Sequence, residues 1–119
     1  MRPRPRFLRM AVAALLLAAG TAHAMSIREL RGLEQSDKAG AIYIQYYLIG
    51  VMEGLREANE EAVREGQKPA FCVLGRKFEP RMALSIYQAE IQRNADVYEA
   101  DMPVQFVLSN ALRNAYRCP

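Results

Sequence analysis

The sequence predicts an all-α domain, a compact bundle of about four helices closed by one disulfide. Apolar residues recur at helical spacing in several segments, whereas no hairpin turn or pair of alternating strands is found. The two cysteines, Cys72 and Cys118, bracket the last two of these segments. In a small exported domain, two cysteines are most often paired with each other.

An export leader is predicted at the start of the chain. Four arginines in the first nine residues precede an apolar run, Met10–Ala19, which has the length of a signal-peptide core. The sequence Ala22-His23-Ala24 has the small-x-small form that signal peptidase accepts. We therefore predict a cleaved signal peptide over residues 1–24 and one domain over residues 25–119. The alternative is a retained membrane anchor.

Cleavage would change the composition of the working protein. It removes four of the 16 basic residues and none of the 13 acidic ones, so the net charge falls from +3 to −1. We therefore expect no nucleic-acid partner and, after cleavage, no membrane partner. The single histidine, His23, is also removed, which excludes catalysis by Cys–His or Ser–His–Asp sets within the mature chain. We predict no enzymatic activity, cofactor or metal.

The first predicted helix is short. Ser26 is followed three residues later by Glu29, which is a capping-box pattern. The pattern predicts a helix over about 27–35. The alternative is a frayed N-terminus, because so short a helix is marginal without tertiary contacts.

The second predicted helix is the central one. Its first part, Ala39–Leu55, is apolar on almost every side, which predicts burial on several sides. Ser36 and Asp37 are both suitable N-caps, and Gly66 is suited to end the helix. The stretch Ile42–Tyr47 could also form a strand, but no partner strand is found.

Two glycines stand inside this helix, where each costs about 1 kcal/mol relative to alanine. Gly50 and Gly54 are four residues apart and so share one face. We predict that they seat another helix of the same domain. The acidic run that follows, Glu57–Glu65, is interpreted as a solvated face, with an acidic binding patch as the alternative.

Prolines mark the starts of the last two predicted helices. Pro80 suits the first position of the third helix, which fades around Arg93. The polar segment 94–102 is predicted to be a loop. Pro103 starts the fourth helix, which ends near Tyr116. The third helix is predicted to bury Met82, Leu84 or Ser85, Ile86, Ala89 and Ile91, and the fourth to bury Val104, Val107 or Leu108, Ala111, Leu112 and Ala115.

A disulfide between Cys72 and Cys118 follows from this arrangement. Cys72 precedes the third helix and Cys118 ends the fourth, so antiparallel packing of the two helices would bring the cysteines together. The loop closed has about 47 residues, for which chain entropy gives roughly 4 kcal/mol. The alternatives are a redox pair or an intermolecular bridge, although the spacing is far from CxxC.

Three stretches resemble the periplasmic immunity proteins of type VI secretion, the Rap/Tai group. They are the tyrosine-rich stretch Tyr47-Leu48-Ile49-Gly50-Val51, the pair Phe71-Cys72, and Asn110-Ala111-Leu112 followed by Tyr116 and Cys118. The resemblance implies an all-helical, disulfide-closed domain in the periplasm, often a homodimer. It also implies a role without catalytic residues.

The implied activity is binding and blocking a peptidoglycan-cleaving effector, so the expected protein partner is a peptidoglycan amidase or another cell-wall hydrolase. The alternatives are a small helical periplasmic chaperone and an orphan structural protein. A binding surface of this kind needs an exposed anchor, typically Tyr or Arg. Our candidate is Tyr98, flanked by Asp96, Glu99 and Asp101 on the predicted loop. The alternative is that Tyr98 packs on the helix below.

Overall fold

A computed structural model describes residues 23–119, which form four helices and no strand. The helices are α1 (Ile27–Glu34), α2 (Lys38–Arg64), α3 (Pro80–Arg93) and α4 (Val104–Ala115). The predicted all-α class and the number of helices are therefore confirmed. Of the predicted leader, only His23 and Ala24 are described, and the rest lies outside the described residues.

Helix α1 begins with the predicted capping box. The backbone N–H of Glu29 donates to the hydroxyl of Ser26 (3.2 Å), and the N–H of Ser26 donates to the Glu29 carboxylate (2.7 Å). The bond from the Ser26 backbone is the main reason why the pKa of Glu29 is lowered. Ile27 and Leu30 point into the core and fix this short helix on the domain.

Helix α2 is the longest element, and both of its ends follow from sequence. Asp37 is the N-cap, and its carboxylate accepts a hydrogen bond of 2.7 Å from the N–H of Gly40. The helix ends before Gly66, which has a φ of +89°. Within residues 23–119, no helix combines the length and the apolar character needed to cross a membrane.

The prediction that α2 is buried on several sides is wrong. Its buried residues are Gly40, Ile44, Leu48 and Met52, which form one line along the helix. On the opposite side, Ile42, Tyr43 and Tyr46 are 56%, 54% and 64% exposed. The rest of the domain packs on one side of α2 only, so its apolar composition leaves an unpartnered surface.

The predicted role of Gly50 and Gly54 in seating another helix of the domain is also wrong. A Cβ added at either position would meet no atom within 4 Å. The close contact lies instead at Gly40, where a Cβ would collide with the carbonyl oxygen of Leu33 and the hydroxyl of Ser36. Gly40 therefore allows α2 to pass close to the end of α1.

Helix α3 starts at Pro80 and ends at Arg93, as predicted. Its buried face is not the predicted one. The fully buried residues are Ala83, Tyr87 and Glu90, and the aliphatic side chains predicted there are only partly buried. The buried face of α3 is therefore partly polar.

Helix α4 buries most of its predicted stripe. Its entry is fixed by the N-terminal segment of the domain, since the N–H of Val104 donates to the carbonyl of Met25 (2.9 Å) and Ser26 bridges to Pro103. Helix α2 packs against the other three helices, and α3 packs against α4. The core contains Ile27, Leu30, Ile44, Leu48, Met52, Phe71, Val73, Phe78, Ala83, Tyr87, Val104, Val107, Leu108 and Leu112.

The predicted disulfide joins Cys72 to Cys118. Their Cα atoms are 4.9 Å apart, and the N–H of Cys72 donates to the carbonyl of Tyr116 (2.8 Å). The bond ties the segment before α3 to the end of α4 and closes the bundle. The predicted pairing is confirmed.

Candidate partner-binding surface

The loop between α3 and α4 does not expose Tyr98 as an anchor. Tyr98 is half-buried, and its hydroxyl donates to the carboxylate of Glu90 (2.6 Å). Its ring meets the edge of the Phe106 ring, with 6.1 Å between the centroids. Tyr98 therefore packs on the helices below, as in the alternative, and supports the loop from inside.

Glu90 is the centre of a buried polar cluster that was not predicted from sequence. Its side chain is 5% exposed and accepts hydrogen bonds from Tyr98, from the Asn94 amide (3.1 Å) and from the Asn114 amide (2.9 Å). The Asn110 amide donates in turn to the Tyr98 hydroxyl (3.1 Å). A buried carboxylate needs such donors, because without them its desolvation is costly. The cluster therefore joins α3, α4 and the loop between them.

The electrostatics of the cluster favour a neutral Tyr98. Burial, followed by the hydrogen bond to the Glu90 carboxylate, raises the pKa of Tyr98 to about 12. Ionised tyrosine could not donate to the carboxylate and would place a second negative charge beside it. The hydroxyl is therefore a fixed donor at neutral pH.

Backbone hydrogen bonds hold the same loop against α1. The N–H groups of Ile27 and Arg28 donate to the carbonyls of Met102 (3.0 Å) and Ala100 (2.9 Å). Within the loop, the N–H of Met102 donates to the carbonyl of Glu99 (3.0 Å). With Tyr98 bound to Glu90 below, hydrogen bonds hold the loop on two sides.

The exposed part of this region combines apolar and acidic side chains, and we call it the loop surface. Val97 and Phe106 are 50% and 45% exposed, although both are apolar. Asp96, Glu99 and Asp101 are exposed on the same loop as Val97. Asp101 also lies 3.1 Å from the guanidinium of Arg28 at the start of α1. Of the predicted contact residues, the three carboxylates are therefore available to a partner, and Tyr98 is not.

A second exposed area runs along the outer face of α2, which we define as Ile42, Tyr43, Tyr46, Gly50 and Gly54. The first three are exposed apolar side chains, and the two glycines are exposed with open space above them. Contiguous apolar surface of this kind on a small protein often marks an interaction site.

A cavity of about 660 Å³ adjoins this face, between α1 and α2. The ring of Tyr43 stacks on that of Tyr47 at its wall, with the centroids 6.5 Å apart. His23 and Ala24 also line the cavity, and both precede the predicted cleavage point. Cleavage after Ala24 would therefore remove part of the lining of this cavity.

Beyond Gly54, the exposed side of α2 becomes acidic. Glu57 pairs with Arg64 at 2.8 Å, and both side chains are exposed. Glu60 and Glu61 are also exposed. This part agrees with the predicted solvated face, because its charged side chains are exposed.

Sequence reasoning missed two residues that shape the loop surface, although each leaves a signal. Glu90 lies seven residues after Ala83 and three after Tyr87, on the line that proves to be buried. Phe106 is a large aromatic residue that falls outside the buried stripe of α4. A glutamate on the buried side of a helix indicates a buried polar cluster. An aromatic residue on the exposed side of a helix indicates a contact surface.

In the described part of the chain, no group of three or more His, Cys, Asp or Glu side chains is placed to hold a metal ion. The arrangement of the loop surface is suited to contact with another macromolecule. Comparison with protein-family models, with curated proteins and with solved structures finds no match for this chain.

Proposed function

We propose that the chain is an exported immunity protein, which binds and inhibits a peptidoglycan-cleaving effector delivered by type VI secretion. The leader supports export to the periplasm and cleavage after Ala24, and the disulfide is compatible with an oxidising compartment. The resemblance to the Rap/Tai group supports the inhibitory role. The proposed role is stoichiometric binding and requires no catalysis by the chain itself.

The observation that carries this proposal is the composition and rigidity of the loop surface. Interfaces commonly place apolar residues at the centre and polar residues at the rim. Phe106 and Val97 supply apolar area here, and the loop that contains Val97 also exposes three carboxylates. Because the loop is already tied to α1 and to Glu90, binding would cost little ordering of its backbone.

The chemistry of this surface indicates which features a complementary effector surface would have. The partner should present an apolar recess for the Phe106 ring and basic side chains opposite Asp96 and Glu99. Opposite charges at the rim increase the association rate, and a buried aromatic group slows dissociation. Inhibition follows if this recess lies at or beside the substrate cleft of the hydrolase.

The test uses the chain expressed with its own leader and recovered from the periplasm. We expect a mass that begins at Met25, co-purification with a cell-wall hydrolase, and loss of peptidoglycan cleavage at a one-to-one ratio. The variant Phe106→Ala should weaken binding at least tenfold, as expected for an interface anchor. The matched control is Val63→Ala, since Val63 is exposed to a similar extent (44%) near the end of α2.

A charge-reversal pair separates the loop surface from acidic surface in general. Glu99→Lys should slow association with the hydrolase, whereas Glu61→Lys on α2 should not. The proposal would be contradicted if no hydrolase were recovered and if the chain did not protect cells against neighbouring effectors. Suppressed aggregation of unrelated unfolded proteins without hydrolase binding would favour the chaperone alternative instead.

A further inference from the structure

A small cavity of about 190 Å³ lies between α1 and α3. It shares no residue with the loop surface or with the outer face of α2. Its lining is mostly polar and consists of Arg31, Glu34, Tyr87, Gln88, Ile91 and Gln92. Because drug-sized ligands occupy cavities of roughly 300–1,000 Å³, this cavity suits a much smaller molecule.

The hydroxyl of Tyr87 is the buried polar group beside this cavity. Tyr87 is 4% exposed, and its hydroxyl has no hydrogen-bond partner within residues 23–119. Burial is the main cause that raises the pKa of Tyr87 to about 12, and the charges of Arg31 and Glu34 also act on it. The hydroxyl therefore lies within electrostatic range of two charged groups that line the same cavity. Since buried polar groups are rarely left unpaired, this hydroxyl indicates a site for a polar ligand.

Two opposite charges line the cavity one helical turn apart. Arg31 and Glu34 are separated by three residues on α1, so their Cβ atoms are roughly 5–6 Å apart. They form no ion pair within residues 23–119, and one carboxylate oxygen of Glu34 instead accepts a hydrogen bond from the Gln88 amide (2.8 Å). The guanidinium of Arg31 and the second oxygen of Glu34 make no hydrogen bond within the same residues. The cavity therefore offers one cation and one anion with unused bonding capacity.

We propose that this cavity binds a small zwitterionic amino acid. The ligand carboxylate would accept hydrogen bonds from the guanidinium of Arg31 and from the hydroxyl of Tyr87. The ligand ammonium group would donate to the second carboxylate oxygen of Glu34. Both pairs of charged groups form charge-assisted hydrogen bonds, which are stronger than neutral ones. Ile91 supplies apolar wall for a short aliphatic side chain.

The mixed charges of the lining favour a zwitterion over a simple ion. A free anion would be repelled by the Glu34 carboxylate, and a free cation would be repelled by the Arg31 guanidinium. An amino acid is neutral overall and pairs with both groups. The same reasoning disfavours a phosphate or sulfate ion, which could use Arg31 and Tyr87 but would also meet Glu34.

The rim of the cavity can adjust to a ligand. Arg31 is exposed, and its side chain makes no hydrogen bond or ion pair within residues 23–119, so it can rotate as the ligand enters. Glu34 is held by Gln88 and keeps its place. Because the ligand is small and the charged groups are partly solvated, we expect a dissociation constant on the order of 0.1–1 mM.

The first experiment titrates the periplasmic chain with L-alanine and with D-alanine and follows its backbone amide signals by NMR. We expect saturable shifts in the signals of residues 31–34 and 87–92 with at least one of the two enantiomers. Acetate and methylammonium each carry half of the zwitterion and should bind at least tenfold more weakly. No saturable shift with either alanine up to about 50 mM overturns the proposal and indicates a cavity that holds water only. Equal affinity for acetate or methylammonium also overturns it.

The second experiment repeats the titration with variants of the lining. Arg31→Gln and Glu34→Gln each remove one charge and should raise the dissociation constant for alanine at least tenfold. Tyr87→Phe keeps the ring and should raise it about two- to tenfold, as expected for one lost hydrogen bond. The matched control is Arg81→Gln, since Arg81 is exposed on α3 and does not line the cavity.

Urea unfolding of each variant shows whether it is folded under the conditions of the titration. An unchanged dissociation constant in folded Arg31→Gln and Glu34→Gln overturns the proposal, because binding would then occur elsewhere. An equal loss of binding in Arg81→Gln overturns it as well, because the effect would then follow the net charge of the chain. This inference does not depend on the proposed inhibitory function.

Discussion

The hydroxyl of Tyr98 donates a 2.6 Å hydrogen bond to the buried carboxylate of Glu90. The bond crosses from the α3–α4 loop to the inner side of α3, so it connects the loop surface to the core of the bundle. It also explains how a glutamate can stand among apolar residues at 5% exposure. The carboxylate is stable there because donors from the loop and from α4 surround it.

The first prediction is that Tyr98→Phe destabilises the domain by about 1.5–3 kcal/mol, the range for a hydrogen bond to a charged group. The substitution keeps the ring contact with Phe106 and removes one donor from Glu90. Urea unfolding at neutral pH measures the change. Tyr43→Phe is the control, because the Tyr43 side chain is more than half exposed, and it should alter stability by less than about 0.5 kcal/mol. Equal effects of the two substitutions would contradict the structural role of Tyr98.

The second prediction concerns Tyr87, whose buried hydroxyl has no hydrogen-bond partner within residues 23–119. Tyr87→Phe should leave the free energy of unfolding unchanged or raise it by up to about 1 kcal/mol, since burying an unpaired hydroxyl is unfavourable. The same urea titration measures it. The same chemical change is therefore expected to destabilise the domain at Tyr98 and not at Tyr87. A loss above about 1 kcal/mol for Tyr87→Phe would show that its hydroxyl is bonded after all.

The third prediction is a loss of stability in alkali. Burial is the main cause that raises the pKa values of Tyr87 and Tyr98 from 10 to about 12. The stabilisation of the folded state by these two pKa shifts is therefore complete below pH 10. It is lost as the pH rises from 10 to about 12, because the unfolded chain releases these protons first. In the folded protein, the tyrosinate absorbance of Tyr87 and Tyr98 should appear above pH 10. Tyr87→Phe and Tyr98→Phe should each remove one of these late steps. Ionisation of Tyr87 and Tyr98 near pH 10 would refute the shift.

The helix boundaries were predictable because local chemistry sets them. Ser26 with Glu29, Pro80 and Gly66 act within one turn of the chain and need no tertiary information. The disulfide was predictable because the sequence has two cysteines, which bracket two helices that an antiparallel packing would place side by side.

The buried faces were harder to predict from sequence. Periodicity favoured the aliphatic residues of α3, but the side that faces the core contains Glu90, whose burial depends on donors from distant segments. Likewise, the composition of α2 cannot show that only one of its sides has a neighbour. Tyr46 and the two glycines are exposed because, within residues 23–119, no other helix packs on their side of α2.

The fourth prediction separates the glycine with a packing role from the two without one. Gly40→Ala should destabilise the domain by about 1–3 kcal/mol, because the added Cβ meets the backbone oxygen of Leu33, which cannot move without shifting α1. Gly50→Ala and Gly54→Ala should instead stabilise the monomer by up to about 1 kcal/mol each. Thermal unfolding of dilute protein measures all three. Destabilisation by all three alanines would mean that the outer face of α2 is occupied in the monomer.

The last prediction concerns the bond between Cys72 and Cys118. It closes a loop with a sequence separation of 46, for which chain entropy gives a stabilisation of about 4 kcal/mol. This is comparable with the net stability of many small domains, so Cys72→Ser with Cys118→Ser should leave the chain partly unfolded at neutral pH. Circular dichroism during urea titration measures the loss. The reduced wild-type chain is the control and should match the double variant, because both lack the same cross-link. A double variant as stable as the oxidised protein would show that packing of α3 on α4 suffices to hold the fold.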